Sequence, residues 1–455
     1  MSTQSNAFNI EVMTLSSLLP AIGLLRRRKS DPPPQVVLLP GYAATAAAHT
    51  KSTTLTAVGQ AYVFTPPSEE DAIGPYSGPF AMFRAFRLDQ EQERLLAERG
   101  YYFKGVPYSG NVHIQVATTK DGHELPNLVD AASLTGAISA AWDSPPSAPM
   151  SESDRHDSGP TTVATRSNGY LKINHTWTDL PASLGPQLDM IRSIDVPSTA
   201  DDELVVGSAT NLQEAGATSQ LVVAPTTSTE QERVGRHVAI ISDIDDVLKD
   251  TQVSIHPRQA LIDTFTREYE PLPGTVHLFQ EIQQAAISTS THITFHYISG
   301  TPIPLAPTLL PFLTSNYPPG SLTLRPVTSF DFESVTNLLT DALDNEYRYT
   351  AICDILKTYP DALVAMFGDT SKHAFQTYLR IVKEYPERIL GLYVRKIGKH
   401  PLRIGSGEEA NLTQEKMNEL MRDRLPMEMW GRAERVAVVY GEADELVGKV
   451  ERLFC

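Results

Sequence analysis

Apolar positions follow two different rhythms along the chain. In the C-terminal half, short and largely apolar runs at 238–241, 293–298, 363–367, 389–394 and 436–440 alternate with longer amphipathic stretches at 276–286, 335–356, 371–385 and 414–424. Runs of four to six apolar residues suit strands buried on both faces, and the 3.6-residue period of the stretches between them suits helices. Strand–helix alternation predicts a parallel sheet covered on both sides, so residues 231–455 read as a doubly wound α/β domain.

Upstream the pattern is shorter and more punctuated. Residues 1–35 read as a flexible tail that ends in Asp31 and three prolines, which cannot continue a helix. Residues 36–39 form a short apolar strand closed by Pro40 and Gly41. Phe80, Phe83, Phe86, Leu88, Leu95 and Leu96 lie among Arg, Glu and Gln and predict one amphipathic helix over 80–97. Alternation at 111–117 predicts a strand, and Lys120-Asp121-Gly122 a turn. Residues 144–168, rich in Ser, Pro, Asp and Thr, read as a disordered insertion; strands resume at 170–177 and 221–224. Residues 36–230 are thus expected to be a β-rich (α+β) accessory domain, joined to the α/β domain by a polar linker at 225–232.

Composition narrows the function. The 455 residues carry 38 Lys and Arg against 54 Asp and Glu, a formal charge of −16. Phosphate contacts need a basic face, so a general nucleic-acid binder is excluded. With two cysteines, Cys353 and Cys455, neither a disulfide scaffold nor a cysteine zinc site can be built, and a reducing, cytoplasmic setting is expected. No apolar run reaches the ~20 residues of a membrane helix. The longest early one, 15–25, is interrupted by Pro20 and followed by Arg26, Arg27, Arg28 and Lys29, an order unlike that of a secretory signal.

In a doubly wound sheet, ligands bind beyond the carboxyl ends of the strands. The first run ends in Asp243, Asp245 and Asp246, three carboxylates in four residues. Like charges repel and burial disfavours all three, so the cluster is either a solvated turn or a cation site. The second run ends in Ser299-Gly300 and the third in Gly368-Asp369-Thr370, with Arg348 between them in a long helix. Acid, hydroxyl, cation and second acid arrive in that order.

This order resembles the haloacid-dehalogenase phosphohydrolases. The wider motifs resemble those of the fungal actin-patch phosphatidate phosphatases: Val238 through Thr251, Pro273-Gly274, Phe295-His296-Tyr297-Ile298-Ser299, the stretch 352–360 and Gly368-Asp369-Thr370. The resemblance covers ~235–425. It implies Mg²⁺-dependent hydrolysis of phosphatidate to diacylglycerol and phosphate at a membrane surface. It also implies a place in lipid metabolism and endocytosis at cortical actin patches, with actin-patch proteins as partners. Carried over residue by residue, it makes Asp243 the nucleophile that forms an aspartyl-phosphate and Asp245 the general acid and base. Ser299 becomes a phosphoryl hydrogen-bond donor, Arg348 the phosphoryl clamp, and Asp243, the Asp245 carbonyl and Asp369 the Mg²⁺ ligands.

The chain departs from the family at several of these positions. Arg348 stands for a lysine; Lys357 is the nearest lysine, at a helix end. Ser371, Lys372 and Ala374 occupy a loop that elsewhere carries glycine and a second acid, and Lys372 is a candidate replacement cation. Ser299-Gly300-Thr301-Pro302 stands for Ser-Asn-Ser-Pro. Two alternatives therefore stay open: a weakened relative that serves as a lipid-binding or interaction module, and a phosphatase of another phosphomonoester. His256, His292 and His296 lack the spacing of a zinc site and read as core or surface histidines. Arg388, Arg395, Lys396, Lys399 and Arg403 form either a solvated basic face or a headgroup contact.

Overall fold

The computed structural model describes residues 35–49, 52–68, 74–107, 111–120, 123–124, 161–164, 170–181, 188–195, 218–225, 236–251, 257–326, 344–397, 412–425 and 437–454. The expected tail up to residue 34, the 225–232 linker after Pro225 and most of the expected insertion lie outside these residues, and Gln35, the tail's last residue, opens the first strand. Among the described residues, ten strands precede residue 230: β1 (Gln35–Leu38), β2 (Gly41–His49), β3 (Ser52–Thr65), β4 (Val106–Pro107), β5 (Asn111–Lys120), β6 (His123–Glu124), β7 (Thr161–Ala164), β8 (Tyr170–Pro181), β9 (Leu188–Asp195) and β10 (Thr218–Pro225). They form one sheet on the path β1-β3-β2-β10-β9-β5-β6, with β4 and β8 also on β3 and β7 on β5. Only the β2–β10 pair is parallel. Strand β7 lies inside the stretch read as an insertion and pairs with Asn111–Ile114.

The single helix expected over 80–97 is two elements. A 3₁₀ segment, Gly78–Phe86, ends at Arg87, whose φ of 48° is left-handed. Helix α1 (Gln90–Lys104) then starts afresh from Asp89, which caps it reciprocally with Gln92. The capping box satisfies two amide donors that a continuous helix would not have freed, so polar chemistry at 89–92 overrides the apolar period.

The second sheet contains β11 (His237–Asp243), β12 (His292–Pro302), β13 (Ser321–Arg325), β14 (Leu363–Asp369), β15 (Ile389–Arg395) and β16 (Ala437–Tyr440). All its pairings are parallel, in the order β13-β12-β11-β14-β15-β16. Every residue of β11 is buried, as a central strand requires. Its alternate residues serve opposite faces. Ala239 and Ile241 pack with helices α5 (Asp344–Thr358), α6 (Lys372–Glu384) and α7 (Gln414–Arg422). Val238 and Ile240 pack with α3 (Thr275–Ser288) and α4 (Ala306–Asn316), which follow α2 (Pro257–Thr266). The expected α/β sheet is therefore present, helix-covered on both faces. Strand β13 and helices α2 and α4 are additions to the expected elements.

Side chains from before residue 230 enter both cores. Tyr42, Ala44 and Val58 join the α5–α6 face, and Leu39, Tyr62, Phe64 and Tyr170 the α3–α4 face. Each fully buried large side chain of this kind contributes ~1.5–3 kcal/mol. The edge strand β13 is covered rather than open: Leu322 N donates to Pro40 O at 2.8 Å and Leu324 N to Gln60 Oε1 at 2.7 Å. An uncovered row of amides there would invite pairing with another chain. Phe80, Phe83, Leu96 and Phe103 pack with Leu261, Phe265 and Leu305.

Candidate active site

Strand register assembles the site. Asp243 ends β11 opposite Ile298 of β12, and Ser242 lies opposite Phe367 of β14. Ser299 and Asp369 therefore reach the same carboxyl edge as Asp243. The chain leaves β11 toward β12 on one side and returns as β14 on the other, so this edge is the switch point where open α/β sheets bind ligands. Gly368 has a close-packing reason: a Cβ there would lie 2.2 Å from the Tyr378 ring. Gly274 starts α3 at φ 76°, and a Cβ would meet Asp444 at 2.5 Å.

Beyond β11 the turn is tied by its own backbone. Ile244 N still bonds Ile298 O, and Leu248 N and Lys249 N both donate to Ile244 O at 2.9 Å. Asp246 takes φ 58°, a conformation Asp tolerates better than most side chains, and its Oδ1 accepts from Thr251 N at 3.1 Å. Arg395 Nη1 donates to its carbonyl at 2.9 Å.

Four expected site residues meet in two pairs. Arg348 is buried near the start of α5, and its Nε donates to Asp243 Oδ1 at 2.8 Å. That helix starts at Asp344 within the described residues, so Arg348 stands in its second turn; 335–343 lie outside them. Ser299 Oγ donates to Asp245 Oδ2 at 2.5 Å. Asp243 is 2% exposed and Asp245 21%, so Asp245 is the carboxylate more open to an incoming molecule.

The charges are unequal. Burial would raise the Asp245 carboxyl, but the Lys249 ammonium and hydrogen bonds from Ser299, Lys249 and Thr251 outweigh it and hold the carboxyl below its usual range. Asp369 moves the other way: burial first, then the charges of Asp243 and Asp246, push it up to about 7. Its Oδ1 accepts from Ser371 N at 2.5 Å, in the loop where the family's second acid is missing. Tyr378, fully buried on α6, has its hydroxyl pushed well above its ordinary range by burial first and Asp243 next, with Arg348 opposing.

Among the described residues, no three His, Cys, Asp or Glu side chains form a metal-holding group. The expected Mg²⁺ set needs only two carboxylates and the Asp245 carbonyl. Hard oxygen donors of this kind suit Mg²⁺, which keeps several waters or phosphate oxygens. After burial, the charges of Asp243 and Asp246 push the Asp369 carboxyl up, and a cation at this edge would offset them. The residues present fit the ion.

Other candidates fall elsewhere. Lys357 is exposed, more than two turns along α5 from Arg348. Lys372 opens α6, but its side chain, like His256, Lys399 and Arg403, is outside the described residues. Arg388 and Arg395 flank β15 at opposite ends and do not share a face. Arg388 donates to the carbonyls of Ala362 and Tyr359, and Arg395 to those of Asp246 and Gly441. Both guanidinium groups are half-buried on backbone carbonyls, which takes these two out of the basic face read from the sequence, whereas Lys396 is exposed. His296 is a core residue, as expected. Lys249, Thr251 and Tyr378 were not among the expected site residues, and Asp246 was read only as the third carboxylate of the acidic cluster. Lys249 and Thr251 stand inside the first motif, but Tyr378 reads as an ordinary apolar-face position of its helix.

The Arg348–Asp243 pair has a direct test. Arg348→Ala is expected to lower turnover by roughly 10²–10³-fold, the scale of one lost donor to developing charge. Arg348→Lys should retain part of the activity, and Lys357→Ala should change nothing, measured as phosphate release.

Residues 238–396 match the model of a phosphatase catalytic domain. Its description is "Phosphatidate phosphatase APP1, catalytic domain". Phosphatidate phosphatase APP1 of Saccharomyces cerevisiae is 24% identical over 194 residues, 42% of this chain and 31% of that protein. An uncharacterized protein of Schizosaccharomyces pombe is 27% identical over 164 residues, 35% of this chain and 25% of that one. The aligned part thus spans less than a third of the length of either relative. The resemblance read from the motifs is borne out over this segment, and the likeness is to an enzyme. A solved structure described as a carbohydrate esterase active site aligns over 88% of this chain and 99% of its own at 8% identity and a TM-score of 0.18, which carries no argument.

Proposed function

We propose that this chain is a Mg²⁺-dependent phosphatidate phosphatase whose residues 231–455 form a haloacid-dehalogenase-like catalytic domain, with 36–230 as its accessory domain. The observation that carries the reading is the convergence of Asp243, Asp245, Ser299, Arg348 and Asp369 on one sheet edge, within the segment that matches the family. In this reading Asp243 attacks phosphorus, a bond to its carboxylate oxygen forms, and the bond from phosphorus to the glycerol oxygen breaks. Asp245, held beside Ser299, gives a proton to the departing oxygen and then takes one from the hydrolytic water. Arg348 and Ser299 steady the phosphoryl oxygens. Asp243, Asp369 and the Asp245 carbonyl would hold Mg²⁺, which supplies charge neutralisation between nucleophile and phosphate.

Phosphatidate would be met at a membrane surface, in keeping with cytoplasmic and cortical actin-patch placement and actin-patch partners. Among the described residues no helix is long and apolar enough to cross a membrane. A second reading, a lipid-binding module, is favoured by one feature: the loop after Asp369 offers the Ser371 amide and no second acid. Phosphate release from phosphatidate in mixed micelles, with and without Mg²⁺, separates the two. Mg²⁺-dependent release is expected; none from the parent protein would favour the module.

A further inference from the structure

We propose that Lys249 is a positioning residue that fixes Asp245 so that Oδ2, and not Oδ1, exchanges the proton with the leaving group. The inference rests on the reading of Asp245 as general acid and base.

The two oxygens of Asp245 have different partners. Oδ1 takes Lys249 Nζ at 3.0 Å and Thr251 Oγ1 at 3.0 Å. Oδ2 takes Ser299 Oγ at 2.5 Å and Thr301 Oγ1 at 3.4 Å. Oδ1 is thus occupied from within the turn that carries Asp245. Oδ2 looks toward the hydroxyl expected to meet the phosphoryl group, where a substrate oxygen can displace a neutral donor.

Lys249 is itself held fast. It is 2% exposed, its N donates to Ile244 O, its carbonyl accepts from Asp246 N, and its backbone bridges to Asp245 and Pro271. Its ammonium lies 4.3 Å from the centre of the Tyr269 ring. The Arg99 guanidinium lies 4.2 Å from the same ring and donates to the carbonyls of Thr264 and Arg267. A cation over a tyrosine face is stabilised when desolvated, and a buried lysine has few other resting places. Because Arg99 belongs to α1, the support of this clamp reaches outside the matched segment into the region before residue 230.

The step balances simply. The negative phosphoryl group of the bound substrate, set beside Asp245, favours its protonated form against the pull of Lys249. Oδ2 holds the proton taken from the water of the preceding turnover. As the phosphorus–oxygen bond breaks, its electron pair stays with the glycerol oxygen, which takes that proton. Lys249 keeps its protons throughout. The attacking water later returns a proton to Oδ2.

A leaving group that needs no proton separates positioning from mere folding. With the full chain and Mg²⁺, Lys249→Met is expected to lower kcat on phosphatidate about 100-fold, the range of one general acid, with KM nearly unchanged. Release from p-nitrophenyl phosphate, whose phenolate departs unprotonated, should fall less than about fivefold. Lys249→Arg should recover part of the phosphatidate rate. If Lys249→Met does not fold, Tyr269→Leu, which keeps the lysine and removes its ring, should show the same selective loss. Equal losses on both substrates would overturn the role of Lys249 and leave the phosphatase reading standing. No release by the parent from either substrate would overturn that reading and this inference together.

Discussion

Asp243→Asn is expected to reduce phosphate release from phosphatidate by roughly four to six powers of ten, the scale on which removal of a covalent nucleophile is felt. An amide has the shape of the carboxylate but cannot attack phosphorus. It can still accept from Arg348 Nε, which now lies 2.8 Å from Oδ1. The fold should survive, because the change removes one of the charges that act on Asp369. Binding to phosphatidate vesicles should fall little or rise, since a repulsive charge has left the phosphoryl site. Release and vesicle co-sedimentation, measured on the same preparations, give the two readouts. Undiminished release would remove Asp243 from the chemistry, and loss of binding together with release would point to misfolding instead.

The parts of this site carried by strand ends were legible in the sequence. Apolar runs fix where buried parallel strands stop, and the polar residues within the next two positions must then lie on one edge, which is how Asp243, Ser299 and Asp369 come together. Arg348 was legible by its place in the motif order. Tyr378 was not, because its spacing on α6 is that of a core residue, and the packing of its ring on Gly368 joins positions of two different elements. Lys249 stands four residues after Asp245, as surface ion pairs often do; its burial depends on Tyr269 and on α1, which a local reading cannot supply. Helix α4 was hidden by Pro307 and by Pro311 within it, and β13 by its five-residue length after Pro318 and Pro319. The covering of that edge by Pro40 and Gln60 depends on contacts 264 residues apart in the case of Gln60 and Leu324.

Acid should destabilise the protein through the histidines of the second sheet. His296 is 1% exposed, with Nδ1 2.8 Å from Ser321 Oγ and Nε2 3.0 Å from Thr294 Oγ1. Hydroxyls can satisfy a neutral imidazole but offer an imidazolium no counter-charge, and burial pushes its pKa from 6.5 down to about 3. His237 shares Thr294 at 3.1 Å and is also lowered, by burial first and then by His292, His296 and Arg388. Between those pKa values the unfolded chain binds protons that the folded one refuses. The contribution of His296 is therefore intact above pH ~6.5 and lost as pH falls toward 3. At ~1.4 kcal/mol per unit, this one group can remove several kcal/mol, a large share of the ~5–15 kcal/mol that holds a typical fold. Asp369, raised in the folded state, works in the opposite direction, being most stabilising below its unfolded pKa and less so as pH rises through about 7. The informative quantity is thus the difference in pH slope between parent and variant. His296→Gln keeps a neutral hydrogen-bonding side chain. It should melt at a lower temperature than the parent at pH 7.5, yet lose less on going to pH 5. Melting curves with the same pH slope for both would show that His296 is not held neutral by the fold.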